Sequence, residues 1–361
     1  MIKEMKLNHG SDTKSALQAK FDAQKIAFGP IMFQAARALR DLGILKLIRS
    51  SRKEGIEMKD IARELKLSLY GVKVLLEAGL SMELVLVEED RFRLTKTGWH
   101  ILKDELTNVN MDFTHDVNYL GMFSLDESIR SGSPTGLKTF GKWDTVYEGL
   151  SQLPAHVQKS WFAFDHFYSD YSFSEILPLL ITPGVKHVLD VGGNTGKFAI
   201  RCAKWDENVH ITILDLPGQL EKAKINIERE GLSHRISCLP VDLLDHDKEF
   251  PAGMDVIWMS QFLDCFSKGD IGELLRRGRE AMEADTSLFI MELLWDRQKF
   301  EASTYSLHAT SLYFTNIANG CSQMYHSNDL IELIDQSGMI VADSVDDIGI
   351  SHSLLKCKLK K

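Results

Sequence analysis

The sequence predicts an α/β chain, with a doubly wound, mostly parallel sheet in the C-terminal half behind a mainly α-helical front domain. Three observations carry that expectation. Strand-like and helix-like segments alternate from residue 185 onward, and a glycine-rich turn, VGGNTG, follows the first of those strands. Charge is also unevenly spread, with about 18 Lys and Arg against 13 Asp and Glu in residues 1–100 but about 24 against 38 thereafter. With 361 residues, 44% of them apolar, the chain can bury a full core and is long enough for two domains.

The front domain is expected over residues 1–102. Residues 27–49 carry apolar side chains at helical spacing. A short helix (59–65), a turn at Lys66–Ser68, a second helix (69–79) and the strands LVLVE and RFRLT, joined through Glu89–Asp90, then make a winged-helix pattern. A DNA reader would need several Arg, Lys, Asn or Gln on that second helix. It reads SLYGVKVLLEAG, with one lysine and one glutamate. Phosphate contacts dominate nucleic-acid affinity and are scarce here, so a dimerisation module is expected and nucleic acid is not.

Residues 103–176 read as a helical connector whose aromatics, in WDTVYEGLSQLPAHVQKSWFAFDHFYSDYSF, pack between domains and wall a substrate pocket. The third segment, 177–361, alternates in order. HVLDV is a strand and KFAIRCAKW a helix; HITILDL is a strand and PGQLEKAKINIEREG a helix. ISCLPVDLL and MDVIWMSQFL read as strands, KGDIGELLRRGREAMEA as a helix and SLFIMELLW as a strand. Such sheets bind ligands beyond the carboxyl ends of their strands. VGGNTG lies at one of those ends.

The ligand class follows from sign and spacing. Gly192, Gly193 and Gly196 do not fit the G-x-G-x-x-G of a dinucleotide site, and Asp190 at the strand end would repel a pyrophosphate. A cationic ligand with hydroxyls and an amine suits it, and S-adenosylmethionine has those charges. Asp215 follows Asp190 at an offset comparable to that of the ribose-binding acid in dinucleotide folds. Asp242, which ends the next strand, is placed to accept from an adenine amine, with Leu243 against the ring. Taken singly, each acid reads as a solvated strand end; three at successive strand ends after a glycine loop make a cofactor cradle.

With those residues in hand, the chain from about residue 20 to 361 resembles the class I methyltransferases of the O-methyltransferase family, known from plant phenol-methylating and bacterial tailoring enzymes. The family's DVGGGTG is DVGGNTG here, its acid-Leu/Met-Pro strand end is Asp215-Leu216-Pro217, and its Gly-Asp-Met/Phe is Val241-Asp242-Leu243. Asn194 replaces a loop glycine, and asparagine is the side chain most at ease at positive φ. The resemblance implies a Rossmann-like sheet, S-adenosylmethionine as cofactor, a homodimer through the front domain, and a small apolar or aromatic acceptor methylated at oxygen.

The resemblance departs from pattern at the catalytic segment. Leu263-Asp264-Cys265-Phe266-Ser267 stands where the family has Leu-His-Asp-Trp-Ser, so Asp264 occupies the position of the general base, and Ser260 that of an upstream lysine. The family's glutamate after the fifth strand is Glu292, and Met324 stands near the place of its second glutamate. An ordinary aspartate titrates near ~3.9, far from a phenol near ~10. Asp264 is expected to serve as base or acceptor-orienting group, and three routes stay open: burial near Glu292 raises its pKa, the acceptor is acidic or a carbon nucleophile, or His308 or His326 is the base instead. Asn316 in SLYFTNIANG is expected on the pocket wall with His308 and Met324. A C-methyltransferase and a silent cofactor-binding regulator are the competing readings.

Other classes recede. The five cysteines form no C-x-x-C pair, so a reducing, cytoplasmic compartment is expected. The polar N-terminus has no signal-peptide core, and no stretch reaches the ~18 apolar residues of a membrane span. Asp245, His246 and Asp247 fall together on a loop and read as a solvated turn, so no metal is expected.

Overall fold

The computed structural model describes residues 11–360, which divide after His115 into two compact units. Residues 1–10 of the polar N-terminus lie outside the described residues.

In the front unit, Ser15 caps α1 (Ala16–Ala27), a helix none of whose side chains is buried. The apolar run at 27–49 forms two helices, α2 (Gly29–Asp41) and α3 (Ile44–Ser50). They part at Gly43, whose φ of 83° suits only a residue without Cβ. β1 (Ile56–Glu57), α4 (Met58–Leu65), α5 (Leu69–Ser81), β2 (Val85–Glu88) and β3 (Arg91–Leu94) follow, with the sheet ordered β1-β3-β2. Glu89 and Asp90, at φ 49° and 60°, make the tight hairpin turn of the wing. Leu39, Ile44, Ile48, Ile61, Val72 and Leu76 fill the core. α6 (Lys96–Lys103) and α7 (Glu105–Phe113) complete the unit, Arg37 and Arg40 of α2 both reaching Asp112 at 2.8 and 2.6 Å.

The second unit begins with α8 (Leu125–Ser131), α9 (Val146–Gly149), α10 (Ala155–Asp170) and α11 (Phe173–Leu180). Alternation then sets in: β4 (His187–Val191), α12 (Lys197–Trp205), β5 (His210–Asp215), α13 (Pro217–Arg229), β6 (Ile236–Pro240), β7 (Val256–Ser260), α14 (Lys268–Glu280) and β8 (Ser287–Glu292). α15 (Glu301–Tyr313), α16 (Ser327–Gln336), β9 (Met339–Ile348) and β10 (His352–Leu359) close the chain.

The seven strands lie in the order β6-β5-β4-β7-β8-β10-β9. The first five run parallel, and β10 pairs antiparallel with both β8 and β9. Each face has its own core. Phe173, Ile176, Phe198 and Leu220 pack on one side, and Ile271, Leu274, Leu330 and Ile334 on the other. Strand order reverses between β4 and β7, so the loops after those two strands flank the crevice where such sheets hold ligands.

Two sequence expectations need correction. ISCLPVDLL is not strand throughout: β6 stops at Pro240, leaving Asp242 two residues beyond it, because a proline supplies no N–H to continue a ladder. MDVIWMSQFL likewise ends as strand at Ser260, where Gln261 turns the chain at φ 46°.

Candidate functional site

The loop after β4 is built around bare backbone. Gly192 turns at φ 75° and donates its N–H to the Leu214 carbonyl (2.8 Å); a Cβ there would strike the Phe262 ring. At Gly193 a Cβ would lie 2.6 Å from Ile213 Cγ2 and 2.7 Å from Asp190 Oδ2. Asn194 adopts φ 50°, and Gly196, at 77°, caps α12. Gly192 and Gly193 have no room for a Cβ because Phe262, Ile213 and the Asp190 carboxylate press against them.

Those carboxylates are Asp190 and Asp215, on neighbouring strands. Asp190 is 3% exposed and its Oδ2 has no hydrogen-bond partner. Burial, and secondarily the charge of Asp215, pushes its pKa up to about 8. Burial also raises Asp215, opposed by the backbone N–H groups of Asn194 and Leu216, each donating to its carboxylate at 2.7 Å. Asp242, beyond β6, is exposed, and Leu244 N–H donates to its Oδ1 (3.0 Å). The side chain of Leu243 belongs to the core with Val191 and Leu214. A buried acid and a half-buried one beside a bare turn fit a ligand bearing positive charge and hydroxyls, and S-adenosylmethionine carries both.

Across the crevice, Ser260 ends β7 and Gln261 N–H donates to the Met291 carbonyl (2.9 Å). The next two N–H groups, of Phe262 and Leu263, donate to Glu292 Oε1 at 3.0 and 2.8 Å, while Oε2 has no partner. Asp264 follows on this turn, 6% exposed. Burial pushes its pKa up to about 6, and burial together with the Asp264 charge holds Glu292 well above the usual carboxylate range. The two titrate as a pair. The Cys265 thiol donates to Asp264 Oδ1 (3.4 Å) and is itself pushed up by burial.

Sequence reasoning did not single out Tyr147, Trp161, Asp165 and Tyr313. Tyr147 of α9 is half-buried with its hydroxyl enclosed; that hydroxyl makes no well-formed hydrogen bond and interacts with Cys265, Tyr313 and Asp264. Trp161 Nε1 donates to the Tyr313 hydroxyl (2.7 Å). Asp165, one helical turn beyond Trp161, accepts from Asn194 Nδ2 at 3.2 Å. The aromatic run of the connector was visible, and the four-residue spacing of Trp161 and Asp165 was the available signal.

The expected wall residues fare differently. Asn316 is fully buried, accepts from Ser128 Oγ (2.7 Å) and lies near Met122. Met324 is buried at 5% exposure. His308 is exposed, its ring edge on Trp295 at 4.9 Å; His326 packs on the same indole and caps α16, accepting from Asn328 N–H (3.0 Å). The structure thus gathers both histidines at Trp295 and gives neither a contact with the acidic pair. Among the described residues, no His, Cys, Asp and Glu side chains cluster to hold a metal ion, and no helix is long and apolar enough to cross a membrane.

Comparison with known proteins bears on this geometry. Residues 169–339 match the O-methyltransferase domain and residues 20–92 the Dimerisation2-like domain. The L-tyrosine C(3)-methyltransferase of Streptomyces lavendulae is 26% identical over 71% of this chain and 70% of its own. The 3-hydroxy-5-methyl-1-naphthoate 3-O-methyltransferase of Streptomyces sahachiroi is 23% identical over 66% and 68%. The apo structure of the S-adenosylmethionine-dependent methyltransferase SibL shares the fold, with a TM-score of 0.72 and 22% identity over 94% of this chain and 99% of that one. The crevice with its acids and these matches agree: the chain carries an O-methyltransferase domain over residues 169–339, with a Dimerisation2-like domain over residues 20–92.

Proposed function

We propose that the chain methylates a small hydroxylated aromatic acceptor at oxygen, with Asp264 taking the proton. The observation that carries this reading is the buried Asp264–Glu292 pair on the turn opposite the glycine loop. Bound S-adenosylmethionine supplies an electrophilic methyl group on a sulfonium. Asp190, Gly192, Gly193, Asn194 and Gly196 form the cradle for its charged end, Asp215 and Leu216 hold the ribose, Asp242 and Leu243 receive the adenine, and Ser260 borders the crevice. Holding donor and acceptor in line can supply roughly 7–11 kcal/mol. A positioned base adds about 10²–10⁴-fold.

A carboxyl pushed up to about 6 is a better match to a phenol than an ordinary aspartate. Glu292 acts through backbone, fixing the turn that presents Asp264. Tyr147, Tyr313 and Trp161 line the acceptor side with rings and hydrogen-bonding groups, as do Asn316 and Met324, with His308 at its outer edge.

Methylation at a ring carbon is the second reading. It is favoured by the tyrosine C(3)-methyltransferase among the relatives and by the absence of histidine at the base position. Either way one proton leaves the acceptor, from O–H or from the ring, and Asp264 receives it. The protein works as a homodimer: α1 buries none of its side chains and exposes Leu17, Phe21 and Ile26 for a second copy. On α5 the exposed residues include Leu69, Tyr70 and Val74, a surface for apolar packing and not for phosphate. Five free cysteines suit the reducing cytoplasm.

The test is labelled methyl transfer from S-adenosylmethionine to tyrosine and to hydroxynaphthoates, with the product resolved by NMR. Methyl on oxygen supports the first reading and methyl on ring carbon the second. No transfer to any hydroxylated aromatic would overturn both.

A further inference from the structure

Helix α10 touches both halves of the site with one face. Trp161 and Asp165 are four residues apart, so their side chains project from the same side of the helix, one turn from each other. Trp161 donates to the Tyr313 hydroxyl at 2.7 Å, on the acceptor side. Asp165 accepts from the Asn194 amide at 3.2 Å, on the cofactor loop. The carboxylate fixes which end of that amide is nitrogen, because an amide oxygen facing it would be repelled.

Asn194 has a second connection. Its backbone N–H donates to Asp215 Oδ2 at 2.7 Å, so the acid assigned to the ribose and the residue that hooks α10 share one backbone position. A ligand that draws on the Asp215 carboxylate therefore pulls on Asn194, and through its amide on Asp165. Glycine in the same place would keep the loop's positive φ and lose the hook. The pairing exists only because this chain carries a side chain at residue 194.

We propose that Asn194 and Asp165 form a latch by which an occupied cofactor loop fixes α10, and with it the Trp161–Tyr313 contact on the acceptor side. Asn194 and Asp165 are then positioning residues that couple the two half-sites. A bond of this kind, to a charged acceptor and partly exposed, corresponds to a coupling of about five- to tenfold. The proposal rests on the glycine loop being the cofactor site.

The experiment uses the full chain and S-adenosylhomocysteine as probe, reading its dissociation rate and the hydrogen-exchange protection of residues 155–170 with and without it. Asn194→Gly is the main variant, since glycine accepts the φ of 50° without strain. The expected result is dissociation about five to ten times faster and no gain of protection in α10 on binding. Asp165→Ala should match it, the double variant should be no worse than either single one, and Asp165→Asn, which keeps an acceptor oxygen, should stay near the native rate. Native dissociation and native protection in Asn194→Gly, or losses that multiply in the double variant, would overturn the latch while leaving the cofactor reading intact. Failure of the native protein to bind the probe would overturn both.

Discussion

Glu292 holds Asp264 in place without touching its side chain through any hydrogen bond. Its Oε1 accepts from the two backbone N–H groups immediately before Asp264, so the last residue of β8 sets the turn after β7. Parallel pairing of Ser260 with Met291 brings the two together. The arrangement buries two carboxyl groups side by side, so both are costly to ionise at once.

Asp264→Asn should lower turnover by about 10²–10⁴-fold while S-adenosylhomocysteine affinity stays within a few-fold. Glu292→Gln keeps an acceptor oxygen for the turn and should lose less. Steady-state rates beside calorimetric titration separate these effects, and native turnover in Asp264→Asn would remove the base assignment.

A base must be ionised to accept a proton. With Asp264 pushed up to about 6, the rate at saturating substrate should fall as pH drops through that value and level off above it. The pH–rate profile of the native enzyme should show this limb; a profile flat from pH 5 to 8 would contradict it.

Asp190 makes cofactor binding depend on pH. Its pKa near 8 means the free protein carries a proton there at neutrality. A cationic ligand favours the ionised form, so binding expels that proton and affinity should rise with pH up to about 8. Calorimetry in two buffers of different ionisation enthalpy should register proton release, which Asp190→Asn should abolish.

Gly193→Ala places a methyl group 2.6 Å from Ile213 Cγ2 and 2.7 Å from Asp190 Oδ2. Either the strand or the acid must shift. The cost in stability should be about 1–3 kcal/mol, read by denaturant unfolding, with S-adenosylhomocysteine affinity lowered at least tenfold by roughly the same energy.

His352, at the start of β10, is fully buried with neither ring nitrogen in a well-formed hydrogen bond. Burial pushes its pKa from 6.5 down to about 4. Between those values the unfolded chain binds a proton that the native one does not, so stability falls as pH drops through that window and is unaffected above it. His352→Leu should flatten that acid slope by up to about 3 kcal/mol, measured by urea unfolding at pH 7 and pH 4.5. An unchanged slope would mean that the ring is solvated.

Much of this was legible in the sequence, for local reasons. The glycine turn marks the start of α12, Pro217 opens α13, and an acid closes β5, each a signal carried within a few residues. The Asp190–Asp215 pair followed because neighbouring parallel strands bring their ends together. What stayed hidden depends on long-range pairing. Nothing near Asp264 announces that Glu292 will pin its turn, and the antiparallel hairpin β9–β10, turned at Gly349, takes its place in the sheet only by pairing with β8. The connector reads from sequence as helical and aromatic; only packing sets Trp161 on Tyr313, Asp165 on Asn194 and Tyr147 beside Cys265. His308 and His326 drew attention as titratable side chains, but a nearby indole and a helix cap engage them.

The central claim is that the acids at the ends of β4 and β5, with the bare turn between them, hold S-adenosylmethionine. Its most direct test is calorimetric titration of S-adenosylhomocysteine into the native protein and into Asp215→Ala at pH 8. Saturable one-to-one binding to the native chain, weakened at least about 30-fold, or ~2 kcal/mol, in the variant, is expected from losing a charged acceptor of two hydroxyls. Equal affinity in both proteins, or none in the native one, would contradict it.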